Sequence, residues 1–119
     1  MLISGGLNDI DIRDLQKNVV YNGYSQHDSY IKDFWVYLDS LPNRQKEKFL
    51  LFVTGSDRPP LLGFKYMNPQ MMIARDHADG GDPKNRFPTA ATCMNMLRLP
   101  KYKTKEDMKR TIDYVINSN

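Results

Sequence analysis

The sequence predicts a small α/β domain. Its 119 residues, 40% of them hydrophobic, are enough for one modest domain with a real core. Several segments place apolar residues at helical spacing, and short apolar runs of strand length lie between glycines and prolines in the second half. Helices combined with short strands favour an architecture in which helices pack on a small sheet.

The first predicted helix covers Ile10–Val20. Asp9 or Asp11 is a suitable N-cap. The apolar residues of the segment fall on one side of the helix: Ile12, Leu15 and Val19. The following segment, Tyr21–Tyr24, contains an Asn-Gly pair that tolerates positive φ, so a turn or hinge is predicted there.

The next two predicted helices meet at Pro42. Asp28 or Ser29 caps the earlier one. This helix carries an amphipathic stripe made of Ile31, Phe34, Trp35, Leu38 and Leu41. Pro42 and Asn43 begin the later helix, because proline is tolerated in a first turn. Gly55 is placed to end it in the left-handed conformation.

The second half of the chain predicts short strands and a closing helix. Two prolines make residues 58–64 an extended connector. Strands are predicted at Gly63–Met67, Met71–Ala74 and Met94–Leu99, with a polar exposed loop over 76–85 and an ordered loop over 86–93. Thr104 and Asp107 form a capping-box arrangement at the start of the last helix. Its inner stripe contains Met108, Ile112, Val115 and Ile116.

The charge of the chain is mildly basic and unevenly distributed. The net charge is +3, and from Lys84 onward Lys and Arg outnumber the acids Glu106, Asp107 and Asp113. A solvated basic helix explains this distribution. The alternative is a non-catalytic basic module that binds an acidic protein or nucleic acid through Lys101, Lys103 and Lys105.

The composition also indicates a compartment. One cysteine excludes an internal disulfide and is typical of a reducing environment. No apolar run approaches the roughly 18 residues of a membrane span, and the start of the chain lacks the features of a secretory signal. We expect no membrane partner and a cytosolic or nuclear location.

Metal and cofactor sites are not predicted. Gly80 and Gly81 are a lone pair without the spacing of a phosphate-binding loop. The two histidines and the cysteine lie far apart and lack ligand spacing. A carboxylate–histidine cluster is conceivable in the loop, but solvation explains the residues better: Asp76, His77, Asp79 and Asp82.

Cys93 is the candidate catalytic residue. It lies where a predicted ordered loop meets a predicted strand, and reactive groups concentrate in loops held by a scaffold. A lone thiol is otherwise most often a small buried hydrophobe. No histidine is near it in sequence, so a papain-like hydrolase is not supported. A solvent-accessible thiol favours the nucleophile, and a fully buried one contradicts it.

The segment around Cys93 resembles the catalytic loop of HECT-type ubiquitin ligases. It reads Arg86-Phe-Pro-Thr-Ala-Ala-Thr-Cys-Met-Asn-Met-Leu-Arg-Leu-Pro-Lys-Tyr102. Further segments are similar to successive landmarks of the family: Leu2-Ile-Ser-Gly, Ile10-Asp-Ile-Arg-Asp-Leu15, Tyr21-Asn-Gly-Tyr24, Phe34-Trp35 and Phe49-Leu-Leu-Phe-Val-Thr-Gly-Ser56. Two segments resemble those of the family branch that extends ubiquitin chains at proteasomes: Arg58-Pro-Pro-Leu-Leu-Gly-Phe64 and Thr92-Cys-Met-Asn95.

The resemblance implies a fold, a division of the chain and a reaction. The fold implied is the α+β C-terminal catalytic lobe of HECT ligases, in which a short mixed sheet is packed by helices. Residues 1–20 would be a helical remnant of the preceding lobe, 21–24 a hinge and 25–119 the catalytic lobe. Cys93 would accept ubiquitin as a thioester from a ubiquitin-conjugating enzyme and pass it to a substrate lysine.

The implied partners are ubiquitin, the conjugating enzyme and substrate proteins. The branch that the chain resembles adds the proteasome as a further partner. The resemblance implies no cofactor and no metal. In the family the conjugating enzyme binds the other lobe, so we expect this lobe alone to be weakly active. The sequence departs from the family pattern at Ala91, where many members have histidine, and at Phe87, where leucine is commoner. It also ends without the family's phenylalanine-containing tail, which assists transfer.

Overall fold

The computed structural model describes residues 9–76 and 86–118. The helices are α1 Ile12–Lys17, α2 Ser29–Ser40, α3 Asn43–Thr54 and α4 Lys105–Ile116. The strands are β1 Val20–Asn22, β2 Met72–Arg75, β3 Thr89–Ala91 and β4 Met96–Leu99. Two 3₁₀ turns cover Phe64–Tyr66 and Thr92–Met94. No helix in these two ranges is long and apolar enough to cross a membrane.

The four strands form one mixed sheet in the order β1-β2-β4-β3. β1, β2 and β4 run parallel, with Tyr21 opposite Ile73 and Ile73 opposite Leu97. β3 runs antiparallel to β4, with Ala91 opposite Met96. The predicted α+β fold, with a short mixed sheet packed by helices, is confirmed.

The core is formed by the inner faces of the helices and one face of the sheet. Phe34 of α2 contacts the rings of Trp35 and Phe49 edge to face, at centroid distances of 5.2 and 6.1 Å. The apolar stripes predicted for the helices supply most of the other fully buried side chains, together with Ile73, Leu97 and Leu99 of the strands. Burial of this continuous apolar surface is the main source of stability for the sheet and the helices.

Capping residues set the helix ends largely as predicted. Asp11 accepts a hydrogen bond from the Asp14 backbone N–H, and Thr104 accepts one from Asp107 N–H. Gly55 ends α3 at φ 83°. Asp28 occupies the N-cap position of α2, but its carboxylate accepts from Ser25 N–H instead of the helix.

The first helix is shorter than predicted, and a strand follows it. α1 ends at Lys17, and the Val20 N–H donates to Met71 O at 2.9 Å, which begins the sheet. The predicted turn at 21–24 is therefore wrong for Tyr21 and Asn22, which lie in β1, while Gly23 has the expected positive φ of 86°. Adjacent β-branched residues at 19 and 20 favour a strand over a continuation of the helix.

Four predictions in the second half need correction. The strand predicted at Gly63–Met67 is wrong, because Phe64–Tyr66 form a 3₁₀ turn in which only Phe64 is buried. The prediction of a loop over 86–93 is wrong for residues 89–91, which form β3. This strand forms by pairing with β4, and its three residues carry no strand pattern of their own. The predicted strand at Met94–Leu99 begins only at Met96, while the strand predicted at Met71–Ala74 is shifted by one residue.

Residues 10–22 pack into the same core as the rest of the chain. Ile12 and Leu15 are buried, and the Trp35 Nε1–H donates to the Tyr21 hydroxyl at 2.9 Å. The Phe64 N–H donates to Asp14 Oδ2 at 2.9 Å, which joins α1 to the connector. The division into residues 1–20, 21–24 and 25–119 stays a prediction.

Candidate active site

Cys93 is exposed and lies at the centre of the 3₁₀ turn between β3 and β4. Ala91 and Met96 are paired, so residues 92–95 form the whole connection between two antiparallel strands. A connection this short holds the thiol at the end of a hydrogen-bonded hairpin, with solvent access. Its accessibility is the observation that favours a nucleophile over a structural cysteine.

The end of α3 supports one side of this turn. Gly55 follows α3 at φ 83°, and a Cβ built on it would lie 3.6 Å from Thr92 Cβ, the residue before the thiol. The Thr54 hydroxyl closes the helix end by donating to Leu50 O at 2.8 Å and accepting from Ser56 N–H at 3.2 Å. The helix terminus is therefore in close contact with the thiol turn, the connection of residues 92–95 that carries Cys93.

Asn95 supports the other side. Its φ and ψ of 52° and 42° are left-handed, a conformation that asparagine adopts more readily than most residues. Its N–H donates to Thr92 O at 3.3 Å, and its carbonyl accepts from Met72 N–H at 3.0 Å. Its side-chain Nδ2 donates to Pro69 O at 2.7 Å. Asn95 thus joins the thiol turn to β2 and to the segment before β2.

Tyrosine hydroxyls hold the base of the same hairpin. Tyr102 donates to Arg86 O at 2.6 Å, before β3, while Tyr24 donates to Leu99 O at 2.7 Å, at the end of β4. Tyr30 donates to Pro100 O at 2.7 Å and accepts from Tyr102 N–H at 3.2 Å. Burial is the main cause that raises the pKa of Tyr24, Tyr30 and Tyr102 above the ordinary 10.0. They are neutral hydrogen-bond donors at physiological pH.

The other candidate residues do not join this site. His77, Asp79 and Asp82 of the predicted polar loop lie outside the described residues, and Asp76 follows β2. The described residues contain no group of three side chains suited to a metal ion. Lys101 and Lys103 are exposed, and Lys105 Nζ lies 3.7 Å from Asp33 Oδ1.

Asn95 and the tyrosines lie at the candidate site, and the sequence alone assigned them no role. The sequence does contain an asparagine two residues after Cys93 and a tyrosine, Tyr102, two residues after Pro100. Their partners, Pro69 and Arg86, are far from them in sequence. The residue types were therefore visible in the sequence, but the contacts required the fold.

Comparison with known families gives this site a context. The family described as HECT-domain (ubiquitin-transferase) matches residues 1–119, which is the whole chain. The chain belongs to the HECT-domain family. The family assignment made from the Cys93 segment is therefore confirmed.

Several curated proteins carry a HECT segment similar to this one. E3 ubiquitin-protein ligase HUL5 of Saccharomyces cerevisiae is 42% identical over 118 residues, covering 99% of this chain and 12% of that protein. E3 ubiquitin-protein ligase UPL6 of Arabidopsis thaliana is 42% identical over 120 residues, with the same two coverages. Human ubiquitin-protein ligase E3B is 36% identical over 142 residues, covering 99% of the chain and 13% of that protein. This HECT chain thus spans about an eighth of the relatives it matches.

Proposed function

We propose that this chain is the thioester-forming catalytic lobe of a HECT ubiquitin ligase, with Cys93 as its nucleophile. The observation that carries the proposal is the exposed thiol of Cys93, held in a short turn, in a chain of the ubiquitin-transferase family. The partners proposed are ubiquitin, a ubiquitin-conjugating enzyme and substrate proteins. The proposed location is the cytosol or nucleus, where a thiol stays reduced. A proteasome partner stays a prediction.

The reaction proposed has two steps. The Cys93 thiolate attacks the C-terminal carbonyl carbon of ubiquitin in its thioester with the conjugating enzyme; a new C–S bond forms and the enzyme's thiolate leaves and takes up a proton. A substrate lysine, as the free amine, then attacks the same carbon. A C–N bond forms, the C–S bond to Cys93 breaks, and the amine's proton is lost as the Cys93 thiolate regains one.

This chemistry is compatible with a thiol that has no histidine near it in sequence. Exchange between a thiol and a thioester is nearly balanced and needs an accessible thiolate, as thiol–disulfide exchange does. The family pattern's histidine at position 91 is alanine here. Attack on a stable amide would instead require an activating base. The arrangement therefore favours a carrier of ubiquitin over an amide hydrolase.

A charging assay tests the proposal. The chain is incubated with ubiquitin, activating enzyme, conjugating enzyme and ATP, alone and joined to the preceding part of a related ligase. We expect a ubiquitin adduct that small thiols remove, and faster charging in the joined form because tethering raises the effective concentration. Since Cys93 is the single cysteine, Cys93→Ser should lose the thiol-sensitive adduct. An adduct absent even from the joined protein defeats the proposal.

The alternative, a basic binding module, has less support. Lys105 pairs with Asp33 at 3.7 Å, and Arg110 lies 3.5 Å from Asp107, so acids neutralise part of the basic segment. The alternative predicts salt-sensitive binding to nucleic acid that alkylation of Cys93 leaves unchanged. Binding of that kind in the absence of a ubiquitin adduct would favour it.

A further inference from the structure

The side chain of Asn95 adds a contact to a turn that backbone hydrogen bonds also hold. The hairpin is already fixed by β3–β4 pairing, and the Asn95 carbonyl already joins it to β2 through Met72 N–H. The amide adds a bond of 2.7 Å from Nδ2 to Pro69 O, across 26 residues of sequence. A carbonyl only accepts hydrogen bonds, so the amide nitrogen is the atom that faces Pro69.

The bond between Asn95 and Pro69 lies at the end of the turn that carries the thiol. Asn95 closes the 3₁₀ turn that carries Cys93, with its own N–H bonded to Thr92 O on the far side of the thiol. Among the described residues other than glycine, Asn95 alone has a positive φ. Two features of one residue therefore define the turn: a left-handed backbone and a side chain bonded to the neighbouring segment.

We propose that Asn95 is a positioning residue for ubiquitin transfer, which sets the direction of the Cys93 thiol by holding its turn against Pro69. The inference rests on the proposed function. Attack on the carbonyl of a bulky protein thioester needs one approach direction, and small displacements of a reacting group lower rates strongly. A small alkylating reagent reaches an exposed thiol from many directions. Loss of the bond should therefore slow exchange with ubiquitin while leaving alkylation nearly unchanged.

Two substitutions separate the side-chain bond from the backbone conformation. Asn95→Asp keeps the shape of the side chain but replaces the donor with a carboxylate that repels Pro69 O. Asn95→Gly removes the side chain and keeps easy access to positive φ. Asn18→Asp is the matched control, because Asn18 Nδ2 makes the same kind of bond, to Asp14 O at 2.8 Å, at the end of α1.

The experiment measures two rates on the same chains. One is thioester formation with ubiquitin activated as a C-terminal thioester of a small alkyl thiol, which needs no conjugating enzyme. The other is alkylation of Cys93 by iodoacetamide. We expect Asn95→Asp and Asn95→Gly to slow thioester formation about tenfold, the effect of losing one hydrogen bond in the reactive geometry. Alkylation of Asn95→Gly should change less than about twofold. The added carboxylate of Asn95→Asp disfavours the thiolate, so this variant should slow alkylation as well, but by a smaller factor than thioester formation. Asn18→Asp should match the wild type in both rates.

Each other outcome overturns a specific statement. If neither the wild-type chain nor the form joined to the preceding part of a related ligase forms an adduct, the proposed function fails and the role of Asn95 fails with it. If wild type reacts and both Asn95 variants react equally fast, the positioning role alone is wrong. If alkylation of Asn95→Gly slows in parallel with its thioester formation, Asn95 acts on the thiol's reactivity or exposure and not on its direction. Far-ultraviolet circular dichroism of Asn95→Gly checks that the chain is folded.

Discussion

Thr104 contributes to stability through a hydrogen bond at a helix end and not through packing in the core. It is exposed, and its hydroxyl accepts from Asp107 N–H at 3.1 Å at the start of α4. Thr104→Ala leaves that N–H without its partner and should lower the free energy of unfolding by about 1 kcal/mol. Thr104→Ser keeps the oxygen and should unfold close to wild type. Urea denaturation measures both, and equal midpoints for alanine and threonine would contradict the cap.

The hairpin tyrosines give a pH dependence with a definite sign. Burial raises the folded-state pKa of Tyr24 above 10.0, so above that pH the unfolded chain loses a proton that the folded chain keeps. Stability should stay level below about pH 10 and fall as the pH rises further. Urea midpoints across this range test it. Tyr24→Phe should flatten the fall, whereas a Tyr66→Phe control, at an exposed tyrosine, should not; equal slopes in all three chains would refute the assignment.

Among the structural elements, the junction of α3 with the thiol turn depends on Gly55. Gly55→Ala forces a Cβ onto a residue at φ 83° and should destabilise the fold by about 1–2 kcal/mol. Gly55→Asn should lose less, since asparagine tolerates the left-handed region. Thermal or urea denaturation distinguishes the two variants. Equal stabilities for alanine and asparagine would mean that backbone strain is not the main cause of the destabilisation.

Elements that local sequence features stabilise could be predicted, and elements that depend on distant partners could not. α2, α3 and α4 were predictable because their apolar stripes and caps are local in sequence, from Asp28 to Gly55 and from Thr104 onward. β1 and β3 were not, because three residues carry almost no period and their partners lie elsewhere in the chain. At the site, the motif identified Cys93 but not the conformation of its turn. The contacts of Asn95 with Pro69 and of Tyr102 with Arg86 are long-range and could be seen only in the fold.

At the scale of the whole molecule, α1 and β1 share one core with the later elements. Ile12 and Leu15 are buried with Trp35, and β1 pairs with β2. A unit built on one contiguous core unfolds in a single transition. Trp35 is the single tryptophan and its Nε1 is bonded to Tyr21, so its fluorescence reports whether β1 is in place.

Leu15→Ala tests this cooperativity. Removing a fully buried leucine side chain should lower the free energy of unfolding by about 2–5 kcal/mol. If the chain is one cooperative unit, Trp35 fluorescence and far-ultraviolet circular dichroism, which follows mainly α2–α4, should shift to the same lower urea midpoint. If residues 10–22 detach independently, fluorescence should shift and circular dichroism should not. Tyr21→Phe, which removes only the hydroxyl, is the control for a direct effect on the fluorescence of Trp35, because it breaks the hydrogen bond and keeps Leu15 packed.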